Sequence, residues 1–218
     1  MNFNPTKSIF TPLPSISLLY YKNPCNILHS FHPLFSIRMF AIFKNQLYMK
    51  LTPTNNENLQ SIIEVVKDAQ VYLASLNIDQ WQDGYPNEAA ILKDIANQES
   101  FIVHSESNEI IATAMFTTKS EPTYAIIDGA WLTNENGIYG VIHRMAVANQ
   151  YRKQGIAKFI FSECEQKLKD TEVASMRIDT HEDNKGMQQL LKKLGYSYCG
   201  VIFLGNGDKR LAFEKLFK

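Results

Sequence analysis

Residues 49–218 predict a mixed α/β (α+β) domain built on one central sheet. Three observations carry that reading. Apolar residues recur with a period of about 2 in some segments and about 3.6 in others, so strands and helices interleave. Their order is one strand, two helices, three or four strands, a helix, a strand, a helix and two strands. Gly and Pro punctuate the joints, and no internal repeat is present.

"LYMKLT" is a short strand that Pro53 ends. Leu59, Ile62, Ile63, Val66 and Leu73 then fall on one helical stripe, with Thr54 and Asn55 as candidate caps. The loop "NIDQWQDGYPN" is broken by Gly84 and Pro86, and a shorter helix spans Glu88 to Asn97. "FIVHS" and "EIIATAMFTT" form a hairpin around "ESN". "YAIIDGAW" is a further candidate strand, and "GVIHRMAV" is another. A helix follows Gly155 to about Lys169, "ASMRIDTH" is a strand, and "NKGMQQLLKKLG" is a helix with Gly195 at its C-cap. "YSYCGVIFL" and "RLAFEKLF" close the chain as strands around the turn "GNGD".

Bulk composition narrows the function classes. Lys+Arg and Asp+Glu both number 22, which argues against a nucleic-acid footprint or a polybasic membrane patch. Cys25, Cys164 and Cys199 form no CxxC or Cys/His cluster, so neither a disulfide framework nor a metal site is expected. No apolar run reaches the roughly 18 residues of a membrane span. The expected location is the cytoplasm.

Residues 1–48 differ from the rest. They hold Lys7, Lys22, Arg38 and Lys44, five prolines and no acid, and the first acidic residue is Glu57. Prolines this dense prevent a long helix. Two readings stand: an extension upstream of a start at Met49 or Met39, or an organelle transit peptide, against which the single Arg counts. Either way the domain is expected to be 49–218.

The stretch "NQYRKQGIAKF" joins the strand "GVIHRMAV" to the next helix. Helix N-termini present unpaired N–H groups and a positive dipole end, and small residues there let an anion approach. Gly155 and Ala157 supply the small residues, and Arg152 supplies charge and donors. A plain capped helix with a solvated basic turn is the alternative on the loop alone.

"RKQGIA" matches the R/Q-x-x-G-x-G/A signature of the GCN5-related N-acetyltransferases, the GNAT family. "RMAV" resembles that family's fourth strand, and "DTHEDNKGMQQLLKKLGY" its fifth strand and fourth helix. The resemblance covers 49–218 in the family's element order and suggests a bacterial-type branch. It implies a mixed, mostly antiparallel sheet flanked by about four helices, with a splay between the fourth and fifth strands. It also implies an N-acetyltransferase using acetyl-CoA as acyl-donor cosubstrate. The cosubstrate's pantetheine arm would pair with Met145, Ala146 and Val147. Its pyrophosphate would lie on Arg152, Lys153, Gln154, Gly155, Ile156 and Ala157, and Asn184 would contact it while capping the last helix.

For the acid–base work, Asp179 matches an acidic position used by some family members, and His143 on the preceding strand faces the same cleft through a bridging water. A structural pairing of Asp179 with Arg177 or His143 is the alternative. Many relatives carry Y-x-x-x-G-F on the last helix, and that Tyr protonates the thiolate. Leu191 stands there in this chain, leaving Tyr196, Tyr198 or water as substitutes. Cys199 and Tyr196 read as core residues. Trp81 and Tyr85 are candidates for an aromatic wall around the acceptor, with Asp83 nearby, or else they anchor their loop. The acceptor is a small-molecule or protein amine, and a homodimer is left open. A non-catalytic acyl-CoA-binding module is the competing reading.

Overall fold

The computed structural model describes residues 49–134, 137–169 and 171–217. The expected extension at 1–48, with Cys25, lies outside them.

The eight strands form one sheet in the order β1-β2-β3-β5-β6-β8-β7-β4. They are β1 (Lys50–Pro53), β2 (Ser100–His104), β3 (Ile110–Thr117), β4 (Ile127–Gly129), β5 (Tyr139–Val147), β6 (Ser175–Thr180), β7 (Ser197–Phe203) and β8 (Lys209–Leu216). Neighbours are antiparallel except β5 and β6, which run parallel. The helices are α1 (Leu59–Ser75), α2 (Glu88–Ala96), α3 (Ile156–Leu168) and α4 (Lys185–Lys193).

Alternation along the strands splits the core in two. On β2, Phe101 and Val103 enter a cluster with Ile156, Ile160 and Phe161 of α3 and Leu191 of α4. Ile102 faces the other way, into a cluster with Ile62, Val65 and Val66 of α1 and Ile91 of α2. The helices therefore cover the sheet in pairs. Fully burying a side chain such as Ile160 or Phe161 stabilises the fold by roughly 1.5–3 kcal/mol.

Local chemistry sets the ends. The Asn55 side chain accepts the Glu57 N–H, and the Asn58 side chain accepts the Asn55 N–H, fixing a 3-10 turn that leads into α1. Asn87 caps α2 by accepting the Ala90 N–H at 3.0 Å.

"YAIIDGAW" departs from expectation. Only Ile127–Gly129 pairs, against β7 at the sheet's far edge. Just before it, Glu121 caps a 3-10 turn at Pro122–Tyr124. Proline at the first position of such a turn lacks only an N–H that would have no partner there. The added strand shifts the count, so the implied splay falls between β5 and β6 of this chain.

β5 and β6 pair only over Tyr139–Val141 and Ser175–Arg177. At Gly140 a Cβ would stand 2.5 Å from Leu168 Cδ1, so α3 packs directly on this paired half. Beyond Val141 the strands separate. β5 also carries a bulge: Met115 and Thr113 of β3 face His143 and Ala146, and Arg144 within the interval has φ +50°. Ile142, Met145 and Val147 consequently reach the α3 side, while Ala146 reaches the α1 side.

Candidate active site

The separation of β5 and β6 opens a cleft of about 1250 Å³. Its β5 wall includes Met145, Ala146 and Val147. These residues pair with β3 on one side, through Ala146 to Thr113 and Val147 to Ala112, and not with β6 on the other. Backbone donors and acceptors on that edge are open to an added extended chain.

The cleft continues to the start of α3. Gly155 is the N-cap with φ +85° and no side-chain cap, and a Cβ there would meet nothing within 4 Å. The first α-helical bond runs from the Phe159 N–H to the Gly155 carbonyl at 2.9 Å. The amides of Ile156, Ala157 and Lys158 lie ahead of that bond, in residues that line the cleft. Lys153 turns the loop with φ +61° and lines the cleft with Arg152, whose guanidinium stacks over the Tyr72 ring of α1. Gln154 turns its side-chain amide back to the Gln150 carbonyl at 3.1 Å. An open cradle, free helix amides and an unpaired strand edge fit a long ligand carrying amides and phosphates.

Asn184 caps α4 by accepting the Met187 N–H at 3.1 Å, and its amide nitrogen reaches Gln80 Oε1 at 3.4 Å. Nearby, His181 Nε2 lies 2.9 Å from Asp79 Oδ1. Two contacts thus link the α1–α2 loop to the α4 end of the cleft.

Four side chains meet at the cleft wall, where Glu121, His143 and Asp179 line the opening and Tyr124 is buried behind them. His143 Nε2 lies 3.2 Å from Glu121 Oε2, and Nδ1 lies 3.6 Å from Asp179 Oδ1. The Tyr124 hydroxyl donates to Asp179 Oδ1 at 2.8 Å. His143 and Asp179 are therefore close neighbours in the cleft wall. Glu121 and Tyr124 were missed from the sequence. The turn holding them is pinned: the Glu121 N–H donates to the Tyr139 hydroxyl at 3.3 Å, and Trp131 Nε1 donates to the Tyr124 carbonyl at 3.0 Å. The hydrogen bond to His143 holds the Glu121 carboxyl down at about 2, against burial, which pushes it up. Burial first, then the Asp179 carboxylate, push the Tyr124 phenol well above its ordinary range.

Arg177, two residues before Asp179 on β6, and His181, just beyond that strand, do not join this group. Arg177 is buried against Glu214, with Nε to Oε1 at 3.0 Å, which excludes the proposed Asp179–Arg177 pairing as its chief contact. Trp81 and Tyr85 both line the cleft, and both are also anchored. Trp81 packs on the α1 side of the core, and the Tyr85 hydroxyl accepts from Arg144 Nη1. Arg144 in turn grips the buried Asp94 of α2 with Nε and Nη2 at 2.6 and 2.7 Å. Asp83 accepts the Tyr85 N–H at 3.2 Å.

Leu191 is fully buried in the α3-side core, while Met187 and Leu190 line the cleft. Tyr196 is core, its hydroxyl bonded to Glu165 Oε1 at 3.1 Å, and burial pushes its phenol above the usual range. Cys199 is buried, and burial raises its thiol. Among the described residues no group of three or more His, Cys, Asp or Glu is placed to hold a metal, and no helix is long and apolar enough to cross a membrane.

The model of the acetyltransferase (GNAT) family matches residues 68–196, which span both splayed strands and the glycine-capped helix. The chain belongs to the GNAT family. A GNAT acetyltransferase from Streptococcus agalactiae is 34% identical, over 79% of this chain and 99% of its own, with a TM-score of 0.71. A GNAT acetyltransferase from Listeria monocytogenes shares the fold at 16% identity, over 78% of this chain and 95% of its own, with a TM-score of 0.62. The ribosomal-protein-S18-alanine N-acetyltransferase of Escherichia coli shares it at 11% identity, over 77% and 93%, with a TM-score of 0.53. No curated protein matches the sequence. Acyl transfer is the chemistry of the GNAT family, and most of the residues that line the cleft lie within the matched segment, with Leu204 to Arg210 contributing from beyond it.

Proposed function

We propose that residues 49–218 form an acetyl-CoA-dependent N-acetyltransferase that moves an acetyl group directly to a primary amine. One observation carries this reading: the unpaired β5 edge, the open N-terminus of α3 and a half-buried His–carboxylate group share one cleft. Acetyl-CoA supplies an activated thioester, whose carbonyl carbon takes the amine and whose sulfur leaves. The β5 edge at Met145, Ala146 and Val147 takes up the amides of the pantetheine arm. The amides of Ile156 and Ala157, the open backbone at Gly155, and the charges of Arg152 and Lys153 receive the pyrophosphate. Gln154 shapes that turn, and Asn184 borders it from α4.

His143 and Asp179 accept the amine proton. Trp81 and Tyr85 border the acceptor, a small-molecule or protein amine. The enzyme works in the cytoplasm. Incubating the full chain with acetyl-CoA and a panel of amines, while following free thiol, tests the reading. We expect thiol release that needs both substrates. A chain starting at Met49 should turn over at the same rate.

A second reading has one observation behind it. Leu191, at the position of the usual proton donor, is sealed in the core. A protein that binds acyl-CoA without turnover would show calorimetric binding and no thiol release with any amine.

A further inference from the structure

We propose that Glu121 is a positioning residue that fixes His143 as its Nε2–H tautomer, which makes Nδ1 the atom that takes the acceptor's proton. The inference rests on reading the cleft as an acyl-transfer site.

The argument starts from what each atom can do. An ionised carboxylate only accepts hydrogen bonds. Glu121 is ionised at neutral pH, its carboxyl held at about 2. Its Oε1 is occupied by the N–H and hydroxyl of Thr123 at 3.1 and 2.9 Å. Its Oε2 faces His143 Nε2 at 3.2 Å, so Nε2 must carry the hydrogen. In a neutral imidazole the other nitrogen then holds a lone pair.

Nδ1 points toward Asp179 Oδ1 at 3.6 Å, too far for a hydrogen bond. That oxygen already accepts from Tyr124. Two lone-pair-bearing atoms thus face a shared space beside the cleft. An N–H of an arriving ammonium satisfies both.

The turn that delivers Glu121 is braced from several sides. Tyr139 receives its backbone N–H, Pro122 starts the turn, and the buried Tyr124 ring stacks near Trp131, Tyr139 and His143 at centroid distances of 5.0, 6.3 and 5.8 Å. Glu121 and Tyr124 from this turn, Asp179 from β6 and Asp94 from α2 are the titratable groups that face or sense the ring.

The step balances. One N–H bond of the acceptor ammonium breaks, and its proton moves to Nδ1, giving the imidazolium and a free amine. The amine lone pair forms the C–N bond and the C–S bond breaks. The second proton leaves the nitrogen and passes to the departing sulfur, so the products are the amide and the free thiol. The imidazolium returns its proton to solvent. Glu121 stays ionised throughout and acts through His143, its two oxygens engaged by Thr123 and by Nε2.

The test needs no acceptor. Two-bond ¹H–¹⁵N correlation spectra of the full chain, recorded with the imidazole neutral, report which ring nitrogen carries hydrogen. His143→Gln assigns the signals. We expect a pyrrole-type Nε2 and a pyridine-type Nδ1 in the wild-type chain. Glu121→Gln, whose amide can donate as well as accept, should lose this separation and give averaged shifts. A pyridine-type Nε2 in the wild-type chain overturns the proposal, and that spectrum decides even if the variant does not fold. Unchanged shifts in folded Glu121→Gln also overturn it. Thiol release tests the acyl-transfer reading by itself, so the two failures are told apart.

Discussion

Arg177 and Asp179 sit two residues apart on β6, yet they belong to opposite kinds of polar site. Arg177 is 2% exposed. Its Nε bonds Glu214 at 3.0 Å, its Nη2 bonds Thr133 Oγ1 at 2.8 Å, and its guanidinium lies between the rings of Tyr139 and Trp131. Glu214, wholly buried, also accepts from Ser175 and from the backbone of Leu132 and Thr133. Asp179 is held by Tyr124 at one oxygen and borders the cleft, with His143 just out of bonding range. A saturated, sealed ion pair can only hold the fold together. A part-satisfied carboxylate beside an imidazole, open to a cleft, can exchange protons with a ligand.

The difference breaks cleanly under substitution. Arg177→Leu leaves Glu214 charged and buried without its cation, and should cost about 3–5 kcal/mol in urea unfolding. Asp179→Asn should leave that stability nearly unchanged and lower kcat/KM about 100-fold or more, with partial recovery at high pH, where the amine arrives neutral. If Asp179→Asn lost as much stability as Arg177→Leu, the two sites would be of one kind.

Gly155→Glu sharpens the comparison from the cosubstrate side. The added side chain meets open space, although φ +85° strains any non-glycine residue. Calorimetry should show acetyl-CoA binding weakened by about 2–4 kcal/mol through repulsion and lost contacts. Thiol release should fall with it.

The smallest effect is on acid stability. Glu121 titrates at about 2 in the folded protein against an ordinary 4.5, so it binds protons less readily when folded. Its stabilisation is complete above about 4.5 and is lost as pH falls from there through about 2. His143→Gln removes the largest cause of that shift. The unfolding midpoint should then fall less steeply across the same window.

Much of this was legible because periodicity and backbone anion chemistry are local. The stripe of α1 and the glycine-capped α3 can each be read within a dozen residues, whereas Asp179 was marked by the family resemblance, with His143 on the preceding strand. Leu191 was legible as a departure, but not its burial, which depends on how α4 rolls onto the sheet. Glu121 and Tyr124 were not legible, because they reach His143 and Asp179 across 22 and 55 residues from a turn with no period of its own. An acid directly before Pro122 was a signal of a capped turn. The apparent strand pattern of "YAIIDGAW" drew attention past it. The bulge at Arg144 also escaped, since "VIHRMAV" alternates plausibly with or without it.

That bulge has a consequence for chain length. Without Arg144, β5 would read Ile142, His143, Met145, Ala146, Val147, and strict alternation would send Ile142, Met145 and Val147 to the α3 side, as now. The sheet therefore has no need of the residue. What Arg144 adds is a guanidinium joined to Asp94 and Tyr85, at the cost of a left-handed backbone. A single-codon deletion at this position would keep the alternation of β5 but leave the buried Asp94 carboxylate without its guanidinium, so the extra residue is retained by a charge on α2 and not by the sheet that carries it.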